Sequence, residues 1–460
     1  MLKFYRIRKR VLRFLALVVT LGGACNTVLA QSGLDLPEEM VPILDGQIQS
    51  AFEASPRILM RLAEAEASEA DFDSTKSMRL PNLGGWAQFS KAQDDRDYFV
   101  ESQTSDKLYY SLTLRQPLFH WGNIHRTIQS SKIRTAIDAG QTRLAYLSLA
   151  GDIRKSYMEV VMERRMLERA RFAARMNDDA LVEAREKRRQ NMNSEADVFN
   201  AELAKQRTDI DLAEAEDRFW YNSRVLARLT GAPELTADAT PTSFPVPDVA
   251  GDAPILASMM SRFLADEFPD NTTLQNLALN LEISENNLKN TRTSLRPRID
   301  FIAGMTSDEQ QFALQNDTLE FQSMYAGIGL TWTLFDGFAT NARVRASLSR
   351  LRAAELRYEQ EKEELVDSAR LMGRHLERLA KTVTLTEREL DSAQNNLDYI
   401  TEQAARGDAS KAQVDNAQLG LWDALGKALF HRYNYWNKVS EVLSLTETDP
   451  LLDRVPTHIK

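Results

Sequence analysis

Leu118-Phe119-His120-Trp121-Gly122 closes an alternating stretch and opens a long run without proline, and 216 residues later Leu334-Phe335-Asp336-Gly337 does the same. The same offset relates Pro81 to Pro297, Trp220 to Trp436, and Leu229-Thr230 to Leu445-Thr446. It also relates Ser194-Glu195-Ala196-Asp197-Val198-Phe199-Asn200-Ala201-Glu202-Leu203 to Ser410-Lys411-Ala412-Gln413-Val414-Asp415-Asn416-Ala417-Gln418-Leu419, with six of the ten positions identical. One constant offset across landmarks this far apart makes the chain two copies of one long unit.

The stretches ahead of these landmarks alternate. In the first copy Leu108, Tyr110, Leu112, Leu114 and Leu118 fall on one face, and Lys107, Tyr109, Ser111, Thr113 and Arg115 on the other. In the second, Met324, Ala326, Ile328, Leu330, Trp332 and Leu334 face one way, and Tyr325, Gly327, Gly329, Thr331 and Thr333 the other. Period two marks strands with one apolar face, predicted at about 83–90 and 107–119, then at about 298–307 and 321–335. Any one such strand reads as part of a half-buried soluble sheet. Two hairpins in matching phase within an exported chain point instead to a membrane barrel wall. Four strands cannot close a membrane barrel, whose smallest members have about eight, and an open edge in lipid leaves backbone groups unsatisfied. Several chains must therefore share one barrel.

The rest is helical. The run Ala63-Glu64-Ala65-Glu66-Ala67-Ser68-Glu69-Ala70 is a strong helix former, and Leu80-Pro81 should end it. No proline occurs from Leu118 to Ala232 or from Arg298 to Asp449. The stretch from Asn123 to Gln190 would reach about 100 Å as one helix. A seam of Val414, Ala417, Leu421, Ala424, Ala428, His431 and Tyr435 permits close helix approach, as it would in a plain coiled coil. Each stretch should fold back at Asn191 or Gly407, the residue types that most readily take the left-handed conformation. Ser194 and Ser410 are suited to cap the return helices. The predicted organisation is repeat 1 over 31–232, with a helical hairpin at about 123–230 turning near 191. A proline-rich linker over 233–253 leads to repeat 2 over 254–446, with a hairpin at about 338–446 turning near 407, and a tail at 447–460.

Residues 1–30 read as a signal peptide, with Lys3, Arg6, Arg8, Lys9, Arg10 and Arg13, an apolar core from Phe14 to Ala24, and small residues at Val28-Leu29-Ala30. Cys25 is the single cysteine, so no disulfide framework is expected. Its context resembles a lipoprotein cleavage box, apart from Gly22, which makes Cys25 a candidate lipidation site; otherwise it is discarded with the signal. The formal charge of −9 falls to about −15 once the six signal cations are removed, which disfavours nucleic acid as a partner. No enzyme, cofactor or metal site emerges. His120 and His125 lack a third ligand at a useful spacing and read as interfacial polar residues. Gly327-Ile328-Gly329 lies inside an alternating strand rather than a phosphate loop. Tyr109, Tyr110, Trp121 and Trp332 are candidates for an aromatic membrane girdle.

With these residues in place the chain resembles the TolC-like outer-membrane exporter family over nearly all of its mature length. The likeness rests on Pro81 and Pro297, the Leu-Phe strand ends, the Gly407-x-x-Ser410 turn, and Val414-x-x-Ala417-Gln418 beyond it. It implies a mainly α protein with transmembrane β, in which each repeat is helix, β-hairpin and long helical hairpin. It implies a homotrimer, with a 12-stranded β-barrel in outer-membrane lipid continuous with a 12-helix α-barrel in the periplasm. The implied function is the exit duct of a tripartite system, passing efflux substrates or a type I secreted protein. The implied partners are a periplasmic adaptor and an inner-membrane pump or ABC transporter. The family's periplasmic aperture maps onto Gln413 and Asn416, with Asp197 and Asn200 as their first-copy counterparts. Some members carry acids at that aperture; Gln413 and Asn416 are uncharged. Adaptor contact maps onto Asn191, Met192, Asn193, Gly407, Asp408 and Ala409, with the 94–97 and 308–318 loops outside the cell. A soluble periplasmic coiled-coil scaffold is the alternative.

Overall fold

The 216-residue offset governs the backbone as well as the letters. The computed structural model describes residues 34, 36–94, 103–265, 271–311 and 318–455. The signal segment with Cys25, and residues 95–97 and 312–317 of the expected outer loops, lie outside the described residues. The chain divides after Leu34, and the unit that follows carries every element described here. Its first half runs α1 (Pro37–Met40), α2 (Pro42–Ala54), α3 (Pro56–Lys76), a 3-10 turn (Ser77–Arg79), β1 (Asn82–Asp94), β2 (Gln103–Phe119), α4 (Asn123–Arg189) and α5 (Glu195–Thr230). The second runs α6 (Val249–Ala265), α7 (Thr272–Arg292), β3 (Arg298–Gln311), β4 (Thr318–Thr331), α8 (Ala339–Arg406), α9 (Lys411–Thr446) and a 3-10 turn (Pro450–Arg454). Helices α3 and α7 are both 21 residues long, and α5 and α9 are both 36. Each pair starts and stops one offset apart.

Among the described residues, the left-handed backbone positions also pair at that offset: Trp121 with Gly337, Gly122 with Phe338, Asn191 with Gly407, Gly231 with Glu447. One member of each pair is glycine. The other bears a side chain in a conformation that costs roughly 1–2 kcal/mol. The surrounding fold therefore imposes these turns where the residue alone would not choose them.

The strands form one antiparallel sheet in the order β1-β2-β3-β4. The contact between β2 and β3 joins the two copies, placing Leu112 opposite Met305 and Leu114 opposite Ala303. It is interrupted between Pro117 and Phe119, where proline has no N–H to donate. Cross-strand partners share a face. Leu83, Leu114, Ala303 and Ala326 therefore lie on the same face as Leu112, Met305 and Met324. This apolar face is bare: Phe89 is 71%, Met324 76% and Ile328 73% exposed. On the other face Lys107 and Asp300 are buried. A sheet in water has the reverse arrangement.

At the hairpin ends all four strands run three or four residues past their expected bounds, so 308–311 belong to β3 rather than to an outer loop. Two further boundaries also differ from the sequence reading. The alternation of β4 continues to Phe335, yet pairing stops at Thr331 opposite Arg298. Pro297 offers no N–H beyond that point, and the Trp332 indole instead donates to the Leu295 carbonyl at 3.0 Å. The proline-rich segment turns helical at Val249, before its expected end, because Asp248 accepts from Gly251 N–H at 3.1 Å and starts α6.

The core runs along α4, which packs against both α2 and α9. Leu44, Ile48, Tyr146, Leu149, Ile153, Tyr157, Trp436, Val439 and Val442 are all buried there, and each large apolar side chain contributes about 1.5–3 kcal/mol. Arg154 sits among them at 0% exposure. It bonds Glu38 of α1, and Asp449 of the closing segment at 2.6 Å. Burial alone would lower its pKa, but the two carboxylates raise it well above the ordinary value.

Candidate functional site

The two helical hairpins end in matching turns. Asn191 N–H donates to Arg188 and Met192 N–H to Lys187; Gly407 N–H donates to Ala404 and Asp408 N–H to Gln403. These paired reverse bonds satisfy carbonyls that a helix end leaves open. Two residues on, Ser194 and Ser410 start the return helices through full capping boxes. The structure places the expected aperture residues directly in this device. Asp197 Oδ2 accepts from Ser194 N–H at 2.8 Å, and Gln413 Oε1 accepts from Ser410 N–H at 2.7 Å. The Ser194 hydroxyl and then its backbone N–H hold the Asp197 carboxyl below the usual range. Asn200 and Asn416 lie three residues further on, on the same helix faces as Asp197 and Gln413, and are exposed. Exposed Met192, Asp408 and Gly407 stand at the turn tips.

Just behind the turns α4 is held from both sides by consecutive acids. Asp178 accepts from Lys205 of α5 at 2.9 Å, and Asp179 from Lys411 of α9 at 2.8 Å. Further along, Arg169 reaches Asp423 at 2.7 Å and the Arg165 guanidinium lies 3.9 Å over the Trp422 ring. The Lys411 hydrogen bond depresses the Asp179 carboxyl, and the same bond raises the Lys411 ammonium. Asp179 therefore supports the tie above the ordinary carboxylate range and loses it as pH falls through its lowered value. Lys411 supports it below the ordinary amine range and loses it as pH rises through its raised value. The tie spans the neutral range. Sequence reading missed it; the adjacent Asp178-Asp179 on a helix otherwise spaced in heptads was the available signal.

At the other end of the helices, the strand-to-helix junction is aromatic. The Phe119 and Trp121 rings lie 4.9 Å apart, and Phe335 and Phe338 5.4 Å apart. The Trp121 indole donates to the Pro297 carbonyl at 2.7 Å. The two histidines singled out from sequence go to separate partners, His120 to Asp300 at 2.7 Å and His125 to Arg79 at 2.9 Å. Among the described residues no group of three or more His, Cys, Asp or Glu is placed to hold a metal, and no helix is long and apolar enough to cross a membrane.

A bare apolar sheet, an aromatic rim and paired helical hairpins about 100 Å long define a subunit of an outer-membrane channel. The chain matches the outer membrane efflux protein family over residues 47–232 and 269–443, and it belongs to that family. It is thus an outer-membrane efflux channel protein whose helices lie in the periplasm, which sets aside the soluble scaffold. The outer membrane protein VceC from Vibrio cholerae aligns with a TM-score of 0.64 at 14% identity, covering 88% of this chain and 96% of that one. The Campylobacter jejuni CmeC outer membrane channel aligns at 0.67 and 14%, covering 88% and 85%. The Neisseria gonorrhoeae MtrE outer membrane channel in its open state aligns at 0.64 and 14%, covering 88% and 89%. At these identities the likeness is one of fold. A search of the curated proteins found no match.

Proposed function

We propose that three copies of this chain close one barrel and form the exit duct of a tripartite export system. The carrying observation is the four-stranded sheet with its apolar face bare and with β1 and β4 each paired on one side only among the described residues. Joining β4 of one copy to β1 of the next satisfies both edges and is a head-to-tail contact that closes into a ring. The same ring sets the helical hairpins side by side as a periplasmic tunnel. Electron microscopy of the protein extracted from outer membranes in mild detergent tests this. A three-fold particle with a barrel at one end is the expected result. A monomer in the soluble fraction would overturn it.

Within that duct, Asn191, Met192, Asn193, Gly407, Asp408 and Ala409 meet a periplasmic adaptor that couples to an inner-membrane pump or ABC transporter. Their place at the hairpin tips, farthest along the helices from the sheet, supports the reading. Cysteines introduced there are expected to cross-link to the adaptor in cells. Cross-linking confined to the β1–β2 and β3–β4 loops would reverse the orientation.

Gln413 and Asn416, with Asp197 and Asn200, form the narrow periplasmic ring, and the Asp179–Lys411 tie holds that ring closed by fixing the start of α9 to α4. In single-channel recordings Asp179→Asn is expected to raise conductance several-fold. Gln413→Ala with Asn416→Ala should raise it too, through loss of the cap and of the polar ring. Unchanged conductance in both variants would place the constriction elsewhere. The cargo stays at the level of efflux substrate, since a tunnel presents no enclosed pocket that reads one.

A further inference from the structure

Where β2 hands over to α4, a cavity of about 220 Å³ is lined by Arg79, Leu118, Phe119, His120, Gly122 and His125. Arg79 donates to His125 Nδ1 at 2.9 Å. An arginine can only donate, so Nδ1 is the acceptor and the neutral ring carries its proton on Nε2. What these two side chains have left is all donor: the unused guanidinium N–H groups and the imidazole Nε2–H. Among the described residues no carboxylate lies within ion-pair distance of Arg79 or His125. The nearby acid, Asp300, is engaged with His120 at 2.7 Å. Positive charge is reinforced by Arg126, whose guanidinium lies against Gly122 of the lining and bonds the Trp121 carbonyl at 2.9 Å.

The surroundings are apolar on the membrane side. Met78 and Leu80, on either side of Arg79, and Leu118 and Phe119 are all exposed. Phe119 pairs with Ile299, which shares its face with Ala303 and Met305, so the bare face of the sheet ends at this cavity. The second copy lacks the arrangement. Leu295, Asp336 and Asn341 stand where Arg79, His120 and His125 stand in the first, and Asp336 brings a carboxylate bonded to Thr340.

We propose that this cavity binds the phosphate of an anionic phospholipid in the periplasmic-facing leaflet of the outer membrane, one per chain. The guanidinium fork and the imidazole N–H hold the phosphate oxygens, and the acyl chains run up over Phe119 and along the bare sheet face. This rests on the membrane placement proposed above.

The test uses the full-length protein reconstituted in nanodiscs of phosphatidylethanolamine with phosphatidylglycerol, then released and analysed by native mass spectrometry for retained lipid. Wild type is expected to retain phosphatidylglycerol, and Arg79→Gln with His125→Gln to bind it about tenfold more weakly, as loss of charge-assisted hydrogen bonds implies. If that double variant does not fold, Arg79→Lys and His125→Gln taken singly are each expected to weaken retention. Equal retention by all variants in protein that enters nanodiscs would overturn the pocket alone. A protein that enters no nanodisc would overturn the membrane placement and this proposal together. Displacement of the lipid by millimolar inorganic phosphate would show a free-anion site and overturn the assignment to lipid.

Discussion

Met324→Arg is expected to keep the chain out of the outer membrane, while Ser323→Arg, one residue earlier, leaves insertion close to wild type. Met324 lies on the bare face in line with Met305 and Leu112. Ser323 pairs with Thr306 on the opposite face. An arginine facing lipid near the bilayer midplane costs about 2–4 kcal/mol, and the proposed trimer would bear that cost three times. Lumen-facing arginine stays hydrated and carries no such penalty. Membrane fractionation and the yield of heat-resistant trimer on gels read the outcome. A Met324→Arg protein that inserts normally beside a Ser323→Arg protein that does not would invert the assignment of the faces.

Arg154→Met is expected to destabilise the fold by about 3–5 kcal/mol, because it leaves Glu38 and Asp449 facing each other in the core without a counter-charge. Both carboxylates are buried, and they sit 116 and 295 residues from Arg154. The same arginine therefore fastens the first helix and the closing segment onto the middle of α4. Replacing all three charges, with Glu38→Gln, Arg154→Met and Asp449→Asn, should recover most of the loss, since neutral groups of similar volume avoid the desolvation of unpaired ions. Limited proteolysis and denaturant titration of the assembled protein compare the variants. A triple variant no better than Arg154→Met would mean that the core depends on the shape of the arginine rather than on its charge balance.

The legible part of this protein consists of features that neighbouring residues specify together. Alternation along β2 and β4 showed which face is apolar before any partner strand was known, because side chains in a strand point to opposite sides in turn. Six identities in the ten residues after the turns exposed the duplication, and the serine three residues before Asp197 or Gln413 marked each helix start. The alternation was less informative about where pairing stops. Trp332 continues the pattern, but hydrogen bonding ends opposite Pro297, a residue 35 positions earlier in the chain. At the candidate aperture, the sequence reading took Gln413 as an uncharged polar residue of the aperture. In the fold its carbonyl oxygen belongs to a capping box, which makes it part of the turn that starts α9.

By itself, then, the sequence determined the two-copy plan, the strand phase, the long helices and the positions of their turns. These follow from period, proline, glycine and capping residues within a few positions of one another. Only the tertiary structure decided which surfaces meet. It joined the copies through β2 and β3, gave Asp179 to Lys411 across 232 residues, and chose Glu38 and Asp449 for Arg154. A charge can pair with any opposite charge that the packing brings within reach, so no local pattern identifies its partner. The exposure of the apolar sheet face is likewise a property of the packed chain, and it is that exposure which calls for lipid against the sheet.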